Sequence, residues 1–278
     1  METTSIYTST SQLANPERSK WKVFWRKNET FLIGTISVVI FLAFWELSVL
    51  FGWVDPLFVS SPSRIAATAI ALFSEGTIYN DLRVSGIEFI TGYGLAIVVG
   101  VPLGILMGWY KKISAVLDPF VSALYATPRI ALLPLLMIWF GIGLGSKIAI
   151  VFLGSIFPIL VNTVTGMRTV DADLIKAARS FGARDRQIFT TVALPASIPL
   201  VLTGLRLGLG HALIGIVVGE LYAATAGIGF MMAVAGSTFQ TDKLMVGIII
   251  IALAGVLFTE VIRKIEKRFE RWRPDAKG

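Results

Sequence analysis

Few residues in this chain have the type and spacing for chemistry, and those few argue against an enzyme. A phosphate-cradling loop needs Gly, four residues, then Gly-Lys-Ser or Gly-Lys-Thr. The nearest run, Gly141 to Lys147, misses that spacing, and Ile148 follows the lysine. It reads as a turn at a membrane edge. Cysteine is absent, which removes disulfides, thiol nucleophiles and Cys-based metal sites. His211 is the single histidine, too little for a metal centre; it reads as a hydrogen-bonded residue within a helix, with a proton relay as the alternative. No cofactor is expected in this chain. The remaining candidates are ionisable residues inside apolar runs, which are costly there and mark function or pairing. They are Glu46, Arg129, Arg206, His211 and Glu220. Arg129 lies between Pro128 and Pro134, where broken helix can line a cavity. Arg129 or Arg206 would give a pathway a positive field for an anion; the alternative is a structural pair, for instance Arg206 with a backbone carbonyl or with Glu220 of a second copy. Glu46 and Glu260 sit near the ends of apolar runs and read as paired or snorkelling.

The elements that must position these groups follow from composition. The chain has 278 residues, 55% of them apolar and 15% charged. Several apolar runs reach the roughly 20 residues that cross a bilayer as helix. The fold class is therefore all-α and polytopic. Six spans are expected, at about 31–51, 87–109, 118–140, 147–166, 199–222 and 244–262. The third carries Pro119, Pro128 and Pro134 and should be broken or kinked; Pro102 is placed to kink the second. A net charge of +7 would suggest nucleic acid in a soluble protein. Here the basic residues flank the spans, as the positive-inside rule requires, so no nucleic-acid partner is expected. Arg18, Lys20, Lys22, Arg26 and Lys27, with Trp21 and Trp25, precede the first span, and Arg263, Lys264, Lys267 and Arg268 follow the last. Both ends are expected on the cytoplasmic side, with tails at 1–29 and 263–278 around one membrane domain at 30–262. No cleavable signal is evident. Small residues recur every fourth position at Gly92, Ala96, Gly100, Gly104 and Gly108, and again at Gly204, Gly208 and Ala212. Such ladders let another helix approach closely.

The longest charged stretch between two spans is the loop 167–197, which contains DADLIKAARSFGARDRQIFTTVALP from Asp171 to Pro195. Leu174, Ala177, Ala178 and Phe181 fall on one helical face. Asp171 or Asp173 suits the helix start, and Gly182 a left-handed C-terminal turn. A second amphipathic helix is expected from Arg184, with Ile188, Phe189 and Val192 as its apolar set and Pro195 as its stop. Arg168, Lys176, Arg179, Arg184 and Arg186 place the loop inside. Two short helices at a glycine corner would make a knob for a partner.

This loop resembles the Glu-Ala-Ala loop of ATP-binding-cassette importer permeases, in which Glu-Ala-Ala, three residues, Gly, nine residues and Ile-x-Leu-Pro follow one another. Here Lys176, Ala177, Ala178, Gly182, Val192, Leu194 and Pro195 keep every spacing. Lys176 replaces the family's Glu and reverses a charge; Val192 replaces Ile. The run Thr127-Pro128 to Ile142-Gly143, the Phe157-Pro158 to Arg168 stretch with Asn162, and Leu194-Pro195 to Arg206 look like the nitrate, sulfonate, taurine and bicarbonate branch. With Gly219-Glu220 and Gly227-Ile228-Gly229, the likeness spans about residues 56–262. It implies a type I importer fold with a peripheral first helix. It also implies a homodimer in the inner membrane, two ATPase subunits that carry ATP and Mg, and an extracytoplasmic substrate-binding protein. On that resemblance Lys176, Ala177, Ala178, Arg179, Phe181, Gly182, Arg184, Ile188, Leu194 and Pro195 would meet the ATPase, although Arg179, Arg184 and Arg186 would equally suit anionic membrane lipid. Asn162 would join Arg129, Arg206, His211 and Glu220 along the pathway. The solute expected is small and anionic, with a vitamin precursor or riboflavin as the alternative. A self-sufficient secondary transporter would need acidic sites near midplane and often a visible repeat, and the sequence offers few such acids and no clear repeat.

Overall fold

A computed structural model describes residues 16–269, with side chains from 29 to 268 apart from Ala223. The basic and tryptophan residues expected at 18–27 fall outside the described side chains, as does the tail beyond 269. All regular structure among the described residues is helical.

The chain divides into two compact units at Ser63/Arg64. The first holds α1 (Pro16–Leu50) and the single-turn α2 (Pro56–Val59). α1 begins well inside the segment read as a polar tail, so the described part of that tail and the first span are one helix. Its apolar side chains from Phe31 to Leu50 are largely exposed, as a lipid-facing helix requires. Its end is stapled to the following turn. The Trp45 indole donates to the Ser60 carbonyl at 3.0 Å. Glu46 accepts from the Ser63 backbone N–H at 2.9 Å and hydroxyl at 2.6 Å, which settles its place as a paired acid.

The second unit contains α3 (Pro62–Ser74) from Arg64 onward, α4 (Ile78–Trp109), α5 (Lys111–Ala126), a 3₁₀ turn (Arg129–Leu132), α6 (Leu133–Phe140) and α7 (Leu144–Arg168). These are followed by α8 (Ala172–Ser180), α9 (Asp185–Ile188), a wide π turn (Phe189–Ala193), α10 (Leu194–Ala223), α11 (Ile228–Ser237) and α12 (Thr241–Phe269). Five helices among the described residues are long and apolar enough to cross a bilayer, and a sixth span forms if α5 and the 129–140 segment, bent by 91°, count as one. The bend falls where Pro128 and Pro134 bracket Arg129.

α7 is the most buried of these spans, because two ladders of small residues clasp it. A methyl group added at Gly92 would lie 2.7 Å from Val151, and one at Gly104 2.7 Å from Thr163. One at Gly108 would strike Met167. From the other side, Gly204 meets Asn162 and Ile159, and Gly208 meets Ile159 and Ser155. Both ladders therefore do what their spacing suggests. Between them Ile159 and Val151 are fully buried.

Two expectations change. The second span starts at Ile78 rather than near 87. Its first turns are amphipathic enough to hide in an apolarity reading, yet Ile78 is buried. Pro195 does not stop the second loop helix. The Leu194 N–H reaches back to the Phe189 carbonyl, a π-type bond that widens the turn just ahead of the proline. With Pro195 near the start of α10, where its missing N–H costs least, the segment runs on as one span from Asp185 to Tyr222.

Candidate functional site

Three clusters carry the polar residues of the second unit. The first lies at the break between α5 and α6. Pro158 has no N–H, so the Gly154 carbonyl one turn earlier loses its helical donor. Arg129 Nη1 supplies it at 3.2 Å. The same guanidinium lies over the Tyr125 ring at 5.5 Å and the Phe157 ring at 5.9 Å, within cation–π range. Arg129 thereby lines a cavity of about 360 Å³ with Tyr125, Thr127, Gly154, His211 and Ile214 among its walls. His211 enters from α10, whose backbone carbonyl at this residue lies only 3.2 Å from where a Gly154 Cβ would be. Its Nδ1 is 2.9 Å from the Leu207 carbonyl. A carbonyl can only accept, so Nδ1 carries hydrogen and Nε2 keeps its lone pair in the neutral ring.

The other expected pathway residues are placed elsewhere. Asn162 donates to the Pro158 carbonyl at 2.8 Å and packs on Gly204. Arg206 pairs with Glu266 of α12. Glu220 is fully buried; its Oε1 accepts from the Ser85 hydroxyl and its Oε2 from the Gly229 N–H, both at 2.6 Å. It thus holds the start of α11, aided by Asp81, which accepts from Gly227 N at 2.8 Å. Beside it lies a pair that sequence reasoning missed. Lys147 Nζ is 2.5 Å from Glu88 Oε1, with side chains 5% and 0% exposed. Each stands at the edge of its apolar run, where a charge looks solvated. Starting the second span at Ile78 would have placed Glu88 well inside it rather than at its first turn.

The third cluster is the charged loop. Asp171 caps α8, its carboxylate accepting from Asp173 N at 2.7 Å. Gly182, at φ +77°, closes the helix: its N–H donates to Arg179 O, and Ala183 N–H to Ala178 O, the paired bonds of a Schellman turn. The Arg184 N–H donates to Gln187 Oε1 at 2.8 Å and starts α9. Phe181, at the tip, is 92% exposed. Lys176, Ala177, Arg179, Gly182 and Arg184 are exposed, while Ala178, Leu194 and Pro195 are half-buried. Ile188, expected to offer apolar area to a partner, is 1% exposed and anchors the knob instead. Phe189 does the same, edge-on to Trp109 at 5.2 Å. Lys176 pairs with Asp173 and Arg179 with Asp185, exposed pairs worth little by themselves.

A multi-pass helical bundle with a broken span, a largely apolar cavity holding one arginine at the break and a protruding charged knob is the architecture of a membrane transport protein. The sequence agrees: the profile of the binding-protein-dependent transport system inner membrane component matches residues 100–271, and the chain belongs to that family. It is 33% identical to the taurine transport system permease protein of Escherichia coli, over 93% of this chain and 95% of that one. It is 32% identical to the formylaminopyrimidine transport permease protein of Halalkalibacterium halodurans, over 86% and 95%. Among solved structures, an inward-facing conformation of the MetNI methionine ABC transporter superposes with a TM-score of 0.57 at 19% identity, covering 69% of this chain and 94% of that one. The type I importer permease fold follows.

Proposed function

We propose that this chain, a permease of the binding-protein-dependent family, moves a small anionic solute inward by alternating access, powered by a separate ATPase that grips the 171–193 knob. The observation that carries the coupling is Phe181. An aromatic ring 92% exposed on a rigid corner costs solvation unless something covers it, and the anchored Ile188 and Phe189 behind it transmit a push into α10. The chain itself does no chemistry. Two copies, two ATPases and an extracytoplasmic binding protein complete the assembly, with both termini and the knob on the cytoplasmic side, where basic residues collect. The anionic solute is supported by the taurine relative and by Arg129 at the cavity; the formylaminopyrimidine relative names a neutral alternative.

Affinity purification in mild detergent tests the coupling. Wild type is expected to bring an ATPase subunit with it, and Phe181→Asp to lose it while keeping its melting temperature. No ATPase with wild type, even after crosslinking, overturns the reading, and transport by the chain alone would then be assayed.

A further inference from the structure

We propose that the cavity at the α5–α6 break is a binding site for the oxyanion head of a sulfonate-type solute, with the Arg129 guanidinium as its principal contact. Four observations converge. Gly154 and His211, on neighbouring helices, each lie near the middle of their helix, so the cavity sits at the depth where a bare charge is most costly. Arg129 is there, and no ion pair to it exists among the described residues. No Asp or Glu lines the cavity, so no carboxylate of its walls offsets the charge. The guanidinium is also held in place. Its bond to the proline-orphaned Gly154 carbonyl and the two rings beside it fix the planar fork, which needs only one of its five N–H groups for that bond.

The geometry favours a compact oxyanion with two oxygens that can meet the fork side by side, such as sulfonate or carboxylate. Its apolar tail would meet Ile130, Ile150, Ile214 and Val218. His211 Nε2, an acceptor in the neutral ring, suits a donor group close to the anionic head, as an aminosulfonate has. An anionic lipid headgroup supplies similar oxyanion chemistry, but it resides at the interface rather than at mid-bilayer depth. This inference rests on the importer reading only for its physiological meaning. Binding here and ATPase capture at Phe181 are measured separately, so either can fail alone.

The test is calorimetric titration of the purified protein in nonionic detergent with methanesulfonate, and with dimethyl sulfone as its neutral counterpart. Wild type is expected to bind the sulfonate and not the sulfone. Arg129→Gln should weaken binding by about tenfold or more, the loss of a charge-assisted hydrogen bond, while Arg206→Gln, away from the cavity, should not. Should Arg129→Gln unfold because Gly154 loses its donor, Ile214→Trp, on the α10 side of the cavity, should fill it and abolish binding with Arg129 intact. Taurine should bind more tightly than methanesulfonate, and His211→Phe should remove that advantage. Equal affinity of wild type for sulfonate and sulfone overturns the assignment, as does unchanged sulfonate binding in both Arg129→Gln and Ile214→Trp.

Discussion

At the scale of single residues, the charges set among apolar residues differ by partner. Glu88 and Lys147 neutralise each other across α4 and α7. Removing one member leaves the other charged and dry, which costs about 3–5 kcal/mol. Lys147→Met is therefore expected to lower the thermal midpoint in detergent sharply. The double variant Glu88→Leu with Lys147→Met should recover much of the loss, since a matched apolar pair is often neutral. Additive destabilisation in the double variant would show that the two side chains act independently. Arg129 differs: its partners are a carbonyl and two rings, none of which cancels its charge. The sequence exposed Arg129 because prolines flank it, and it exposed Glu220 because apolar residues surround it. It hid Glu88 and Lys147 because each sits where an apolar run begins, and only the partner helix buries it.

At the scale of elements, the spacing of small residues was the most informative feature of the chain. Glycine at every fourth position dictates backbone contact on one face, and α7 receives two such faces. The register can be tested by contrast. Gly104→Val would push its side chain into Thr163, 2.7 Å from the Cβ position; overpacking of this kind costs about 1–3 kcal/mol. Gly94→Val, on the same helix with nothing within 4 Å of its Cβ, should leave the melting temperature nearly unchanged. Equal destabilisation by the two would contradict the packing. The span boundaries were less legible. Amphipathic first turns masked the start of α4. Pro195 reads as a stop by local rules, and only the Leu194-to-Phe189 bond of the π turn shows how the helix absorbs it. Periodicity gave Ile188 an apolar face without saying whether that face turns toward a partner or toward Trp109 and the bundle.

At the scale of the whole molecule, a cavity and a knob lie at two ends of one mechanical path, α9 through the π turn into α10. α10 carries His211 at the cavity, and α9 follows the Gly182 corner. If closing of the ATPases and occupation of the cavity bias the same inward-to-outward equilibrium, each must alter the other's affinity by one common factor. In the assembled transporter, a non-hydrolysable ATP analogue should change methanesulfonate affinity by roughly 5- to 150-fold, the usual size of such coupling. The sulfonate should change nucleotide affinity by the same ratio. Gly182→Val tests the path itself. At φ +77° a branched side chain is strained, with nothing near its Cβ to clash. The corner should therefore loosen while both sites persist. Nucleotide and sulfonate should each still bind, with the common factor shrinking toward one. A factor that survives Gly182→Val would mean the corner is not the lever, and the path would have to run through α4 and Trp109 instead.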